Sequence, residues 1–126
     1  LLNCLRAAGT RFCANALTLA FVYTKEYTLP MTFEWDDDKN AANIAKHGIG
    51  FQKASRIFEG PVLTGEDDRQ DYGEVREQSI GMVDGMLVLL VVHTDRAGRT
   101  RIISARRANR AERRRYEEAL RQRTEH

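Results

Sequence analysis

Arginine is unevenly distributed along this 126-residue chain, and where it collects it could hold a phosphate. From Arg99 to His126 there are ten Arg and four Glu, a net +6, whereas residues 1–98 carry ten Lys and Arg against fourteen Asp and Glu, a net −4; the sum is the overall +2. No lysine occurs in the C-terminal segment. The guanidinium is planar, permanently charged and forked for bidentate contact, so the asymmetry points to an anionic polymer or an acidic partner. Arg101, Arg106 and Arg107 lie in or beside the apolar run Ile102-Ile103-Ser104-Ala105, and Arg76 stands near the start of another. Surface ion pairing accounts equally well for any one of the four. For Arg113 to Arg115 alone, a solvated amphipathic helix is the better reading.

The elements that must position these side chains are marked by clear punctuation from Met31 onward. Thr32-Phe33-Glu34-Trp35 alternates as a short strand, Asp36 stands at an N-cap, and Asp37 and Asp38 suit the first turn of a helix running to about Lys46. His47-Gly48 closes that helix, so capping accounts for His47, and Trp35 is expected as an anchor between sheet and helices. Phe51, Ala54, Ile57 and Phe58 recur at helical spacing, so Gln52 to Glu59 reads as a second short helix stopped by Gly60-Pro61. Val62-Leu63-Thr64 suits a brief strand, and the acidic stretch Gly65 to Glu74 a solvated loop. Val75 to Val83, Asp84-Gly85 and Met86 to Thr94 form a hairpin signal with a type I′ turn. Its second strand, apolar on both faces, must be central. Asp95 to Arg99 turns the chain into a strand over Thr100 to Ala105, and Asn109 with Glu112 resembles a capping box opening a last helix. That helix should run to about Arg121, with Arg113–Glu117, Arg114–Glu118 and Glu117–Arg121 as exposed pairs. The expected class is α+β: a short strand, two helices packed on an antiparallel sheet of three or four strands, and a C-terminal helix.

No run is long enough to span a membrane. Cys4 and Cys13 match no metal spacing and fit a reduced, cytoplasmic protein better than a disulfide framework. Residues 1–30 look unlike the rest; Arg6 and Arg11 before an apolar stretch invite a signal-peptide reading, but polar residues interrupt that stretch and no small-residue cleavage site follows. The expectation is an N-terminal extension upstream of a start at Met31, and one domain over residues 31–126.

Phe33-Glu34-Trp35-Asp36 with Lys39 and Asn43, Lys46-His47-Gly48-Ile49 with Phe51, Val92-His93-Thr94-Asp95, and Arg101-Ile102-Ile103-Ser104-Ala105-Arg106-Arg107-Ala108 followed by Glu112-Arg113-Arg114 and Tyr116 together resemble the BrnT family over about Met31 to Leu120. The resemblance implies a RelE-like fold, an endoribonuclease toxin of a type II toxin–antitoxin system, and arrest of translation. It also implies a cognate, BrnA-like antitoxin assembled with the toxin as dimers of each, which contacts operator DNA on the toxin's behalf.

Metal-independent RNA scission needs a proton acceptor at the ribose 2′-oxygen, cations on the phosphoryl oxygens and a proton donor to the leaving 5′-oxygen. No metal or other cofactor is expected, because His47, His93 and His126 are dispersed and the acidic stretch lacks calcium-loop spacing. Under this resemblance Arg101 and Arg106 would stabilise the transition state, with Arg107 and Arg76 as further phosphate ligands. His93, with a reference pKa near 6.5, or Tyr116 would move protons. Each has a plainer alternative: a histidine hydrogen-bonded at a strand end, and a tyrosine packed with its hydroxyl exposed. Thr94 and Ser104 could position a phosphate or be ordinary strand residues, and Lys46 could reach RNA. The rival function is a non-catalytic basic module that binds RNA or protein.

Overall fold

The computed structural model describes residues 23–25, 31–67 and 73–124, the first three and last two by backbone alone. In chain order the elements are β1 (Tyr23–Lys25), β2 (Phe33–Glu34), α1 (Asp37–His47), α2 (Phe51–Ala54) continuing as a 3-10 turn over Ser55–Glu59, β3 (Val62–Asp67), β4 (Arg76–Val83), β5 (Leu87–Arg96), β6 (Arg99–Arg107) and α3 (Arg110–Thr124). The fold is α+β, as expected. Cys4, Cys13, the N-terminal apolar stretch, the middle of the acidic segment and His126 lie outside the described residues.

Local signals bound the elements as read. Asp36 Oδ1 accepts the N–H groups of Asp38 (2.8 Å) and Lys39 (3.3 Å) at the start of α1, and Gly48 ends the helix at φ 73° with its N–H donated to Ile44 O. Asp84 and Gly85 both take positive φ, 59° and 73°, and Met86 extends the hairpin loop to three residues, because Val83 pairs with Leu87. Asn109 and Glu112 form the reciprocal capping box: Glu112 N donates to Asn109 Oδ1 (2.8 Å) and Asn109 N to Glu112 Oε1 (2.9 Å).

The sheet order is β1-β3-β4-β5-β6-β2, antiparallel except for β2 beside β6, so it is wider than the expected three or four strands. Two differences follow from strand pairing. Tyr23–Lys25, from the segment read as an extension, adds an edge strand to β3. β3 also runs through Gly65, Glu66 and Asp67, so the acidic segment is not loop from its start. Backbone pairing with β4 takes precedence over charge there, and Asp67 is buried directly opposite Arg76.

Each face of the sheet has its own core. Phe51, Ile57, Phe58, Val62, Leu89, Val91, Ile102 and Ala105 form one beneath α1 and α2; Leu63, Ile80, Val88, Leu90 and Val92 form the other beneath Tyr116 of α3. β5 is thus buried on both sides, as its apolar run required. The exposed edge of β6 is closed by a side chain: buried Asn43 of α1 accepts Ala105 N–H (3.2 Å) and donates to Ala105 O (2.8 Å) and Ile49 O (2.9 Å). Gly81 of β4 lets the 3-10 turn approach, since a Cβ there would lie 2.7 Å from Ile57 Cβ and 2.9 Å from Val62 Cγ1. Gly81→Ala should therefore lower stability by about 1–3 kcal/mol through overpacking. A lower urea midpoint at unchanged slope would show it, and an unchanged midpoint would refute the close-approach account.

Candidate active site

Strand register assembles the site. Asp67 of β3 pairs with Arg76 of β4, Arg76 with Thr94 of β5, Thr94 with Arg101 of β6, and Arg101 with Glu34 of β2. Directly opposed residues share a face, so these five form one row across the sheet, acid–Arg–Thr–Arg–acid. The row lies on the α3 side, two residues along β5 from Val92 of that core. Arg96 and Arg99, also paired, form the next row outward on the same face. Two strand spacings separate the backbones of Arg76 and Arg101 by about 10 Å, within reach for both guanidinium groups to meet on one phosphate.

Two carboxylates organise the arginines. Glu34, 27% exposed, holds Arg101 (3.2 Å) and Arg99 (3.6 Å), and Glu74 holds Arg76 (3.2 Å) and Arg96 (3.3 Å). Desolvation pushes the Glu74 carboxyl up, but hydrogen bonds and charge from Arg76 and Arg96 outweigh it and leave its pKa below the ordinary value. Thr94 is buried and donates its hydroxyl to Val75 O at 2.6 Å, so it spaces the two arginines and ties down the start of β4. Ser104 is half-buried on the same face, opposite Val92.

The remaining sequence candidates lie elsewhere. His93, 3% exposed, faces the α1–α2 side, where its Nε2 meets Ser79 Oγ at 2.8 Å, Ser79 Oγ meets Thr64 Oγ1 at 2.8 Å, and its ring stands edge-on to Phe58 with centroids 5.0 Å apart. A bulge at Val92/His93, with Ile103 as the extra residue of β6, accompanies this placement. Tyr116, 2% exposed, donates its hydroxyl to Pro61 O at 2.9 Å from within the α3 core. Arg107 is exposed, opposite Leu89 of the other core, and Lys46 is exposed on α1, across the sheet from the row. Arg106 shares the row's face but clamps Glu112 through two 2.9 Å bonds, from Nη1 to Oε1 and from Nη2 to Oε2, joining β6 to the cap of α3.

Desolvation raises the pKa of buried Glu112, but Arg106, the Asn109 N–H and Arg115 lower it more, for a net depression. The sign follows from linkage: a carboxylate depressed in the folded state contributes stability above its unfolded pKa, near 4.3, and loses it as pH falls through the lower folded value. The stability gap between the wild type and Glu112→Gln should accordingly shrink as pH drops below about 4. A gap that is constant down to pH 2 would contradict the assignment.

A family model described as "Ribonuclease toxin, BrnT, of type II toxin-antitoxin system" matches residues 35–112, more than half of the chain. The chain belongs to that family. The 1.1 Å crystal structure of the Brucella abortus ribonuclease toxin BrnT is similar to it at 25% identity and a TM-score of 0.53, covering 64% of this chain and all of that one. No curated protein sequence matches. Membership makes the chain a toxin of the ribonuclease class and implies an antitoxin partner. Among the described residues no helix is long and apolar enough to cross a membrane.

Within this BrnT domain, sequence reasoning passed over Glu34, Glu74, Arg96 and Arg99. Their charge and position were visible in the sequence, but only pairing in space shows that each glutamate binds two arginines. Buried Gln78, opposite Val92 beside the row and with no hydrogen-bond partner on its Oε1, offered no sequence signal.

Proposed function

We propose that this BrnT-family chain is an endoribonuclease that cleaves RNA by metal-independent attack of the ribose 2′-oxygen and so arrests translation in the cytoplasm. The observation that supports it is the row of Arg76, Thr94 and Arg101, two cations on one face with a spacer between them and an accessible carboxylate, Glu34, at the end. Arg76 and Arg101 hold the phosphoryl oxygens, with the Ser104 hydroxyl as a further donor. Glu34 takes the 2′-hydroxyl proton, the 2′-oxygen bonds to phosphorus, the P–O5′ bond breaks, and solvent water protonates the 5′-oxygen. His93 and Tyr116 support the two cores. The toxin domain in this reading is residues 31–126, with Tyr23–Lys25 added to its edge strand β3.

A cognate antitoxin neutralises the toxin by covering the arginine row, in an assembly of two toxins and two antitoxins, and operator DNA is bound through the antitoxin alone. The test is product chemistry. Cleavage should proceed in EDTA, leave a 2′,3′-cyclic phosphate or 3′-phosphate, and fail on DNA, which lacks the nucleophile. A requirement for divalent metal, or equal cutting of single-stranded DNA, would overturn the mechanism.

A further inference from the structure

The sequence pairs Arg113 with Glu117 and Arg114 with Glu118 at the spacing that favours ion pairs along a helix. The structure does not form them: among the described residues, Arg110, Arg113 and Arg114 are exposed and make no ion pair. Three neighbouring guanidinium groups therefore stand unpaired near the start of the outer face of α3, with Glu117 and Glu118 one turn further along. α3 covers the side of the sheet that carries the arginine row, so patch and row open to the same side of the molecule. From Arg101 to the end of β6 at Arg107 is six residues, about 20 Å of strand, a distance that an extended single strand of RNA spans in a few nucleotides.

We infer that Arg110, Arg113 and Arg114 form a second RNA contact, an electrostatic seat for the phosphate backbone a few nucleotides from the bond cleaved at the row. The inference rests on the ribonuclease reading for its substrate. The residue types favour nucleic acid over a protein partner. From Arg110 to Gln122 the exposed positions of α3 hold only charged side chains, Gln122 and Ala111, so the face offers no apolar anchor of the kind that fills the centre of a protein interface. Arginines on a polar face can instead neutralise successive phosphates irrespective of sequence.

The experiment measures binding of 2′-O-methylated oligoribonucleotides, which cannot be cleaved, so that its outcome is separate from the cleavage test. A 20-mer and a 2-mer are titrated against the full chain by fluorescence anisotropy between 50 and 200 mM salt. Replacing Arg110, Arg113 and Arg114 together by Gln should weaken 20-mer binding about tenfold at the lower salt and reduce the logarithmic salt slope by about 2, at roughly 0.7 per phosphate for a single strand. Binding of the 2-mer, too short to reach from the row to the seat, should not change. Replacing the same three by Lys should retain most of the slope, which guards against a folding defect in the Gln variant. Equal losses for both lengths, or an unchanged slope for the 20-mer, would overturn the proposal. So would an unchanged slope accompanied by lost affinity for poly-glutamate, which would make the patch a seat for an acidic protein segment. A wild-type chain that binds the 20-mer as expected but cleaves no RNA would refute the ribonuclease reading and leave the seat standing.

Discussion

Arg101→Ala should reduce kcat/KM for RNA cleavage by roughly 30- to 1,000-fold, the 2–4 kcal/mol expected for losing one preorganised donor to the transition state. It should do so with little loss of stability, because the Arg101–Glu34 pair is about a quarter exposed, and such pairs contribute only about 0–1 kcal/mol. Arg106→Ala should behave in the opposite way. It strips a bidentate partner from Glu112, whose side chain is 4% exposed, and leaves a buried carboxylate with its capping bond and the charge of Arg115. A stability loss of about 2 kcal/mol is expected, discounted because Arg106 itself is a third exposed. Urea unfolding beside single-turnover cleavage separates the two cases. The row would be the wrong site if Arg101→Ala cleaved normally, or if Arg106→Ala lost activity at full stability.

Tyr116→Ala should destabilise the fold by about 3–5 kcal/mol, the cost of removing a buried aromatic side chain from the α3 core. Tyr116→Phe isolates the hydroxyl, whose loss from Pro61 O should cost about 1 kcal/mol and leave the cleavage rate of the folded protein unchanged. His93→Ala likewise acts on folding, since it opens a cavity beside Phe58 and removes one of the two partners of Ser79 Oγ. A His93→Ala protein that folds with wild-type stability yet cannot cleave would reinstate His93 as a proton carrier. A Tyr116→Phe protein that is stable but inactive would do the same for Tyr116.

The chain's own sequence determined the elements and most of their limits. Asp36, Gly48, Asp84-Gly85 and the Asn109–Glu112 box are local devices whose geometry depends on a few adjacent residues, and each forms, although the hairpin loop takes in Met86 as a third residue. The double-sided apolar run of β5 likewise placed that strand at the centre before any partner was known. The family motifs were also legible, because they are read in order along the chain.

Which arginine does what was decided only in three dimensions. Arg101 and Arg106 look alike in the sequence, but register sets one opposite Thr94 in a row with Arg76, while the fold of α3 brings Glu112 under the other. His93 follows the apolar run of β5 as a catalytic histidine would, yet the alternation of faces turns it inward onto Ser79 and Phe58. The i,i+4 spacing on α3 permits ion pairs that exposed side chains do not form, since their small Coulomb gain in water competes with side-chain entropy. Asn43 shows the same division. Its place on a helix was readable, but its use as the closing partner of β6 depends on a residue 62 positions away. Local propensity fixes elements because its causes are a few residues long; the site arises from pairing between distant strands, which no short window of sequence contains.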